Sequence, residues 1–158
     1  MTMGTEIERK FLVCGEDWRG LGQTVELRQG YLAREEKCVV RVRVSGERAW
    51  LTVKGRVSGI ARPEYEVEVP VEEGREMLET LCCGPVMIKR RTRISCGNLV
   101  WEVDEFSGEN AGLVVAEVEL ESADQKIECP SWIGAEVTGD PRYYNSNLML
   151  NPYRNWKL

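Results

Sequence analysis

Charged side chains at period two, sorted by sign from one segment to the next, constrain this chain more than any other feature. Successive side chains on a β-strand point to opposite faces. Residues 38–45 therefore set Val40, Val42 and Val44 on one face and Arg41 and Arg43 on the other. The same alternation puts Glu6, Glu8 and Lys10 on one face of residues 6–13, opposite Ile7, Arg9 and Phe11. Glu64, Glu66 and Glu68 share a face of residues 62–69, and Lys89, Arg91 and Arg93 share a face of residues 86–95. Glu102 and Asp104, then Glu117 and Glu119, continue the series. Each of these segments is expected to be a strand with one apolar and one ionic face.

Further strands are expected at 25–34, 48–55, 99–106 and 113–121, with turns at 35–37, 46–47 and 96–98. Met77, Leu78 and Leu81 at helical spacing beside Glu72, Glu73, Glu76 and Glu79 predict an amphipathic helix over 71–82, stopped by Gly84-Pro85. Residues 15–23 read as a loop with a turn of helix at 16–19. A helical turn is expected at 122–126, irregular chain at 130–142 and a terminal helix over 143–151. About eight hairpin-spaced strands with few helices make the chain mainly β, an antiparallel barrel or sandwich. Its 158 residues are read as one domain, 1–158.

Two functions suit the ionic rows. An antiparallel sheet often has one wet face, which explains period-two charge without any site. Like charges in a row repel, however, and a plain solvent face mixes signs with Ser, Thr and Gln. Basic rows suit phosphate oxygens, and acidic rows suit a hard cation shared with those phosphates. Spacing alone leaves both readings open. If the ionic faces line a barrel, the apolar faces point outward and need more cover than one or two helices supply, for which a homodimer interface is one source.

Composition narrows the chemistry. The chain contains no histidine, which rules out Ser-His-Asp and Cys-His hydrolysis and His-Glu-x-x-His zinc proteolysis. A net charge of −5 argues against general attraction to nucleic acid. The six cysteines lack Cys-x-x-Cys spacing, so buried free thiols are expected rather than zinc or disulfides. No apolar run is long enough to span a membrane, and residues 1–5 carry no leader pattern, so a cytoplasmic location is expected.

Glu6-Ile-Glu-Arg-Lys10 is the Glu-x-Glu-x-Lys signature of the CYTH domain, the triphosphate tunnel metalloenzyme family. The resemblance continues through 27–32, Arg41-Val-Arg43, Thr52-Val-Lys54, Arg62 with Glu64-Tyr-Glu66, Arg91-Thr-Arg93, 101–106, 115–119 and 137–143. It implies an eight-stranded antiparallel β-barrel, a tunnel with a charged interior and a few flanking helices. It also implies divalent-metal-dependent cleavage of a triphosphate, with Mg²⁺ or Mn²⁺ as cofactor. Substrates implied are inorganic tripolyphosphate, thiamine triphosphate or nucleotides, and the small bacterial tripolyphosphatases are most similar in size. An adenylate cyclase on the same scaffold and a non-catalytic polyphosphate-binding module are the alternatives.

By position, the resemblance assigns metal-holding acids to Glu6, Glu8, Asp104, Glu117 and Glu119. It assigns a phosphate clamp to Lys10, Arg41, Arg43, Lys54, Arg91 and Arg93. Lys10 with Tyr31 would position or deprotonate the attacking water. Arg62, Glu64, Glu66, Lys89 and Glu102 are further candidate tunnel residues, with Lys89 expected at the mouth and Glu68 on a solvated strand end. Tyr65, Trp101, Tyr143 and Tyr144 are expected to pack.

Overall fold

The computed structural model describes residues 3–156. Its strands are β1 (Met3–Val13), β2 (Gln23–Arg34), β3 (Cys38–Ser45), β4 (Arg48–Gly55), β5 (Ala61–Val69), β6 (Met87–Cys96), β7 (Leu99–Phe106), β8 (Val114–Glu119) and β9 (Ile133–Glu136). Helix α1 (Val71–Thr80) follows β5, and a single helical turn, α2 (Asn145–Leu148), follows β9.

Every pairing is antiparallel, in the order β5-β4-β3-β2-β6-β7-β8-β1, and β1 returns to β5 to close the barrel. The closing seam aligns Glu6 with Arg62 and Thr5 with Pro63. Beyond the seam β1 pairs with β8 and then with the short β9, so the first strand holds three others.

The outward apolar faces are covered by three separate clusters rather than by helices alone. Trp18 from the loop after β1 and Trp132 just before β9 join Phe11, Trp101, Val103 and Val118 over one side. Phe11 and Trp132 meet the Trp101 ring edge-on, at centroid distances of 5.5 Å and 6.0 Å. Trp101 is fully buried, and removing such a side chain costs about 3–5 kcal/mol. The C-terminal stretch covers a second side with Tyr143, Leu148 and Trp156. Helix α1 covers Val42, Val44 and Ala49 with Leu78. A Cβ at Gly74 would sit 2.4 Å from the Ala49 Cβ, so only glycine lets the helix lie this close. On β5, Val67 stays 47% exposed outside these clusters. Tyr65, expected to pack, is 52% exposed on β5.

Four local expectations are corrected. Residues 130–142 include β9, whose Ile-Gly-Ala-Glu is too short to show a period. The helix expected over 143–151 shrinks to Asn145–Leu148 because its neighbours take 3-10 and extended conformations. Residues 16–19 form a turn rather than helix, closed by Arg19 N donating to Glu16 O. All six cysteines are free as expected, but none is buried, and Cys14, Cys83 and Cys129 are exposed.

Candidate active site

The inward faces enclose a cavity of about 830 Å³, including its open mouth. Glu6, Glu8 and Lys10 of β1 line it, facing Tyr31, Arg41, Lys54, Lys89, Arg91 and Glu117. The mouth lies between the β4–β5 loop and the segment 137–146, where Arg62 and Tyr144 stand. Tyr144 is therefore a cavity wall rather than the packing residue expected from sequence.

One half of the tunnel is a saturated ion network. Arg91 grips Asp104 with two bonds, Nε to Oδ1 at 2.7 Å and Nη2 to Oδ2 at 2.8 Å. Lys89 Nζ reaches the same carboxylate at 2.8 Å and donates to Asn145 Oδ1 at 2.8 Å. Burial alone would raise the Asp104 pKa, but Arg91 and Lys89 hold it well below the usual carboxylate range. Burial lowers Lys89 to about 8, with Asp104 opposing. Lys89 is buried inside the barrel, not at the mouth, because Asn145 closes over its ammonium. Lys10 Nζ donates to the Tyr143 carbonyl at 3.0 Å and lies 3.3 Å from Glu117. Burial would depress Lys10, yet Glu117 and Glu8 keep its pKa above the ordinary value.

The other half is less settled. Lys54 sits 3.0 Å from Glu6 and 3.2 Å from Glu64. Burial opposes ionisation of Glu6, but the Lys54 ammonium outweighs it and takes Glu6 down to about 2. Glu8 has no cation within salt-bridge distance among the described residues, and β8 places Glu119 directly across from it. Burial, then Glu117 and Glu6, push the Glu8 pKa well above its ordinary value. Burial, Glu6 and Glu102 raise Glu119 in the same direction. Like charges directly opposite destabilise a sheet.

Arg41 and Arg43 supply the matching surplus of donors. Both guanidinium groups share Glu66, at 3.6 Å and 3.9 Å, and both Nε–H groups are buried without an acceptor. A buried donor left unpaired costs about 1–3 kcal/mol, so this edge favours an anion. Burial, then repulsion from Arg41 and Arg91, lowers Arg43 to about 10.

The acids fit a divalent metal in one particular way. Among the described residues no group of three or more acidic or thiol side chains stands where it could hold a metal ion. Carboxylate oxygens are the donors a hard cation prefers, and such cations commonly take one or two from protein and the rest from phosphate and water. Glu8 and Glu117 line the cavity and could supply one or two such oxygens, whereas both Asp104 oxygens are already taken.

Not all the charged residues share the cavity. Arg93 is exposed and lines a separate groove at the far end with Glu102 and Glu119. Glu68 is exposed and bound to Arg48, as a solvated strand end should be. Arg62 donates to the Gly55 carbonyl at the mouth. The sequence reading missed Thr52, Gln29 and Asn145. Thr52 and Gln29 stand two positions before Lys54 and Tyr31, on the same strand faces, and period two alone could have found them. Asn145, which accepts from Gln29 Nε2 at 3.0 Å, lies on a helical turn with no comparable signal.

The CYTH domain model matches residues 4–144. An inorganic triphosphatase of Acetivibrio thermocellus is 52% identical over 155 residues, covering 98% of this chain and 99% of that protein. An inorganic triphosphatase of Nitrosomonas europaea is 36% identical, with 93% and 98% covered. A solved inorganic triphosphatase structure, 36% identical, superposes with a TM-score of 0.65 over 91% of this chain and 97% of its own. The tunnel of opposed ladders and the full-length match together make this chain a member of the CYTH domain family.

Proposed function

We propose that the protein is a triphosphatase that removes the terminal phosphate of inorganic tripolyphosphate inside this tunnel. The observation that carries the reading is one cavity lined both by Arg41, whose Nε–H has no acceptor, and by Glu8, a carboxylate with no salt-bridge partner among the described residues. Near-full-length similarity to two inorganic triphosphatases supports it.

Arg41, Arg43, Lys54 and Arg91 clamp the phosphate chain, Lys10 holds the reacting end, and Arg93 attracts anions from the far opening. Glu6, Glu8, Glu117 and Glu119 hold Mg²⁺ or Mn²⁺, with Asp104 acting through the cations it steers. Bound there, the metal neutralises phosphate charge and acidifies or orients water. Water oxygen bonds to the terminal phosphorus as the bridging P–O bond breaks, giving orthophosphate and pyrophosphate. Cations already facing the leaving phosphate compensate its growing charge without reorganising. Glu117 and Glu8 keep Lys10 an ammonium at neutral pH, so it orients the water there, beside Tyr31 in the cavity wall, and accepts a proton only under alkaline conditions. The enzyme works as one domain in the cytoplasm, and a homodimer would cover apolar side chains left exposed on β5, Tyr65 and Val67.

The test is a product assay of tripolyphosphate, ATP and thiamine triphosphate, each with Mg²⁺ or Mn²⁺. Orthophosphate released fastest from tripolyphosphate is expected. Cyclic AMP with pyrophosphate from ATP would make the protein a cyclase, and tight binding without turnover would make it a binding module.

A further inference from the structure

Thr52 lies on β4 directly across from Arg41 of β3 and is wholly buried in the tunnel wall. Its hydroxyl has one proton and gives it to Glu66 Oε2 at 2.7 Å. The same oxygen accepts from Arg41 Nη2 at 3.3 Å. Glu66 is too far from Arg41 for a direct hydrogen bond, at 3.6 Å, so the hydroxyl is the link that ties the guanidinium to its carboxylate. One arm of the Arg41 fork is thereby fixed to the wall, while its Nε–H remains buried and unpartnered.

The geometry points to Thr52 as a positioning residue that presets Arg41 so its free edge meets the substrate anion. This rests on the tripolyphosphate reading of the tunnel. A planar guanidinium has a rigid fork, and holding one arm fixes the direction of the other donors. The arrangement is made before substrate arrives, so its loss weakens capture more than the bond-breaking step.

The experiment is steady-state hydrolysis of tripolyphosphate by Thr52→Val, Thr52→Ala and Thr52→Ser, alongside calorimetric titration of each with tripolyphosphate in chelator. Thr52→Val should raise KM and the metal-free dissociation constant about tenfold, with kcat changed less than about twofold. Thr52→Ser, which keeps the hydroxyl, should restore both to within about twofold of the parent. Thr52→Ala cannot overfill the wall and supplies the same reading if Thr52→Val fails to fold. An unchanged KM, a fall in kcat alone, or a folded Thr52→Ser no better than Thr52→Val overturns the assignment. Absent phosphate release by the parent enzyme would instead sink the hydrolytic reading, while the titrations would still score Thr52.

Discussion

Asp104 and Glu8 are carboxylates in one barrel, each on a strand beside β8, yet their surroundings are opposite. Asp104 has all its charge answered by Arg91 and Lys89 before any ligand arrives, and its pKa is low. Glu8 meets burial and other acids, and its pKa is high. The first half of the tunnel is therefore built by internal ion pairs, whereas the second is left for a cation from outside. A functional site is most readily recognised where the protein leaves a charge unanswered, not where it gathers many charges together.

The comparison breaks first at Asp104. Asp104→Asn strips the counter-charge from two buried cations and should cost about 3–5 kcal/mol in urea unfolding, with activity falling in parallel. A loss near zero would mean the network is no scaffold. Glu8→Gln should act in the contrary sense, lowering phosphate release by about a hundredfold or more while raising the Tm of the metal-free protein at pH 7. The sign follows because Glu8 has a folded pKa above its ordinary 4.5, so its ionised form costs stability above that value. The Tm difference should fade as pH falls below about 4.5, where the carboxyl is protonated folded or unfolded. A Tm that drops in Glu8→Gln would show that Glu8 is held by the fold after all.

Glu6 sharpens the contrast within the second half itself. Its pKa is lowered from 4.5 to about 2, so its pair with Lys54 stabilises above 4.5 and is lost as pH falls towards 2. Scanning calorimetry of parent and Glu6→Gln should converge across that window. The smallest effect is expected at Glu68, whose partner Arg48 is exposed with it on the strand end. Glu68→Ala should leave both Tm and phosphate release unchanged.

Much of this was legible in the chain. Strands β3, β4 and β7 match the expected bounds because two-sided alternation marks each residue's face. The same period found nearly every ion that lines the cavity. It could not separate Arg93, which alternates in register but lies beyond the enclosed part of the tunnel. Nor could it separate Lys89 from a mouth residue, since what buries Lys89 is Asn145, 56 positions later. The apolar cover was unreadable for a similar reason. Trp18 and Trp132 lie in segments without period, and only the folded barrel brings both to Trp101. Sequence period reports which way a side chain points, but not what the rest of the chain lays over it.

The seam made by β1 also has a bearing on biosynthesis. Strand β1 is synthesised ahead of β5, β8 and β9, and its edges stay unfilled until they follow. Lys10 takes backbone partners from Val137 and Thr138 and a side-chain partner from the Tyr143 carbonyl, all far downstream of it in the chain. A nascent chain stopped short of those residues carries a bare, partly apolar strand, an invitation to pair with a neighbour. A chain cut ahead of Ile133 should accordingly be insoluble rather than a weakened enzyme.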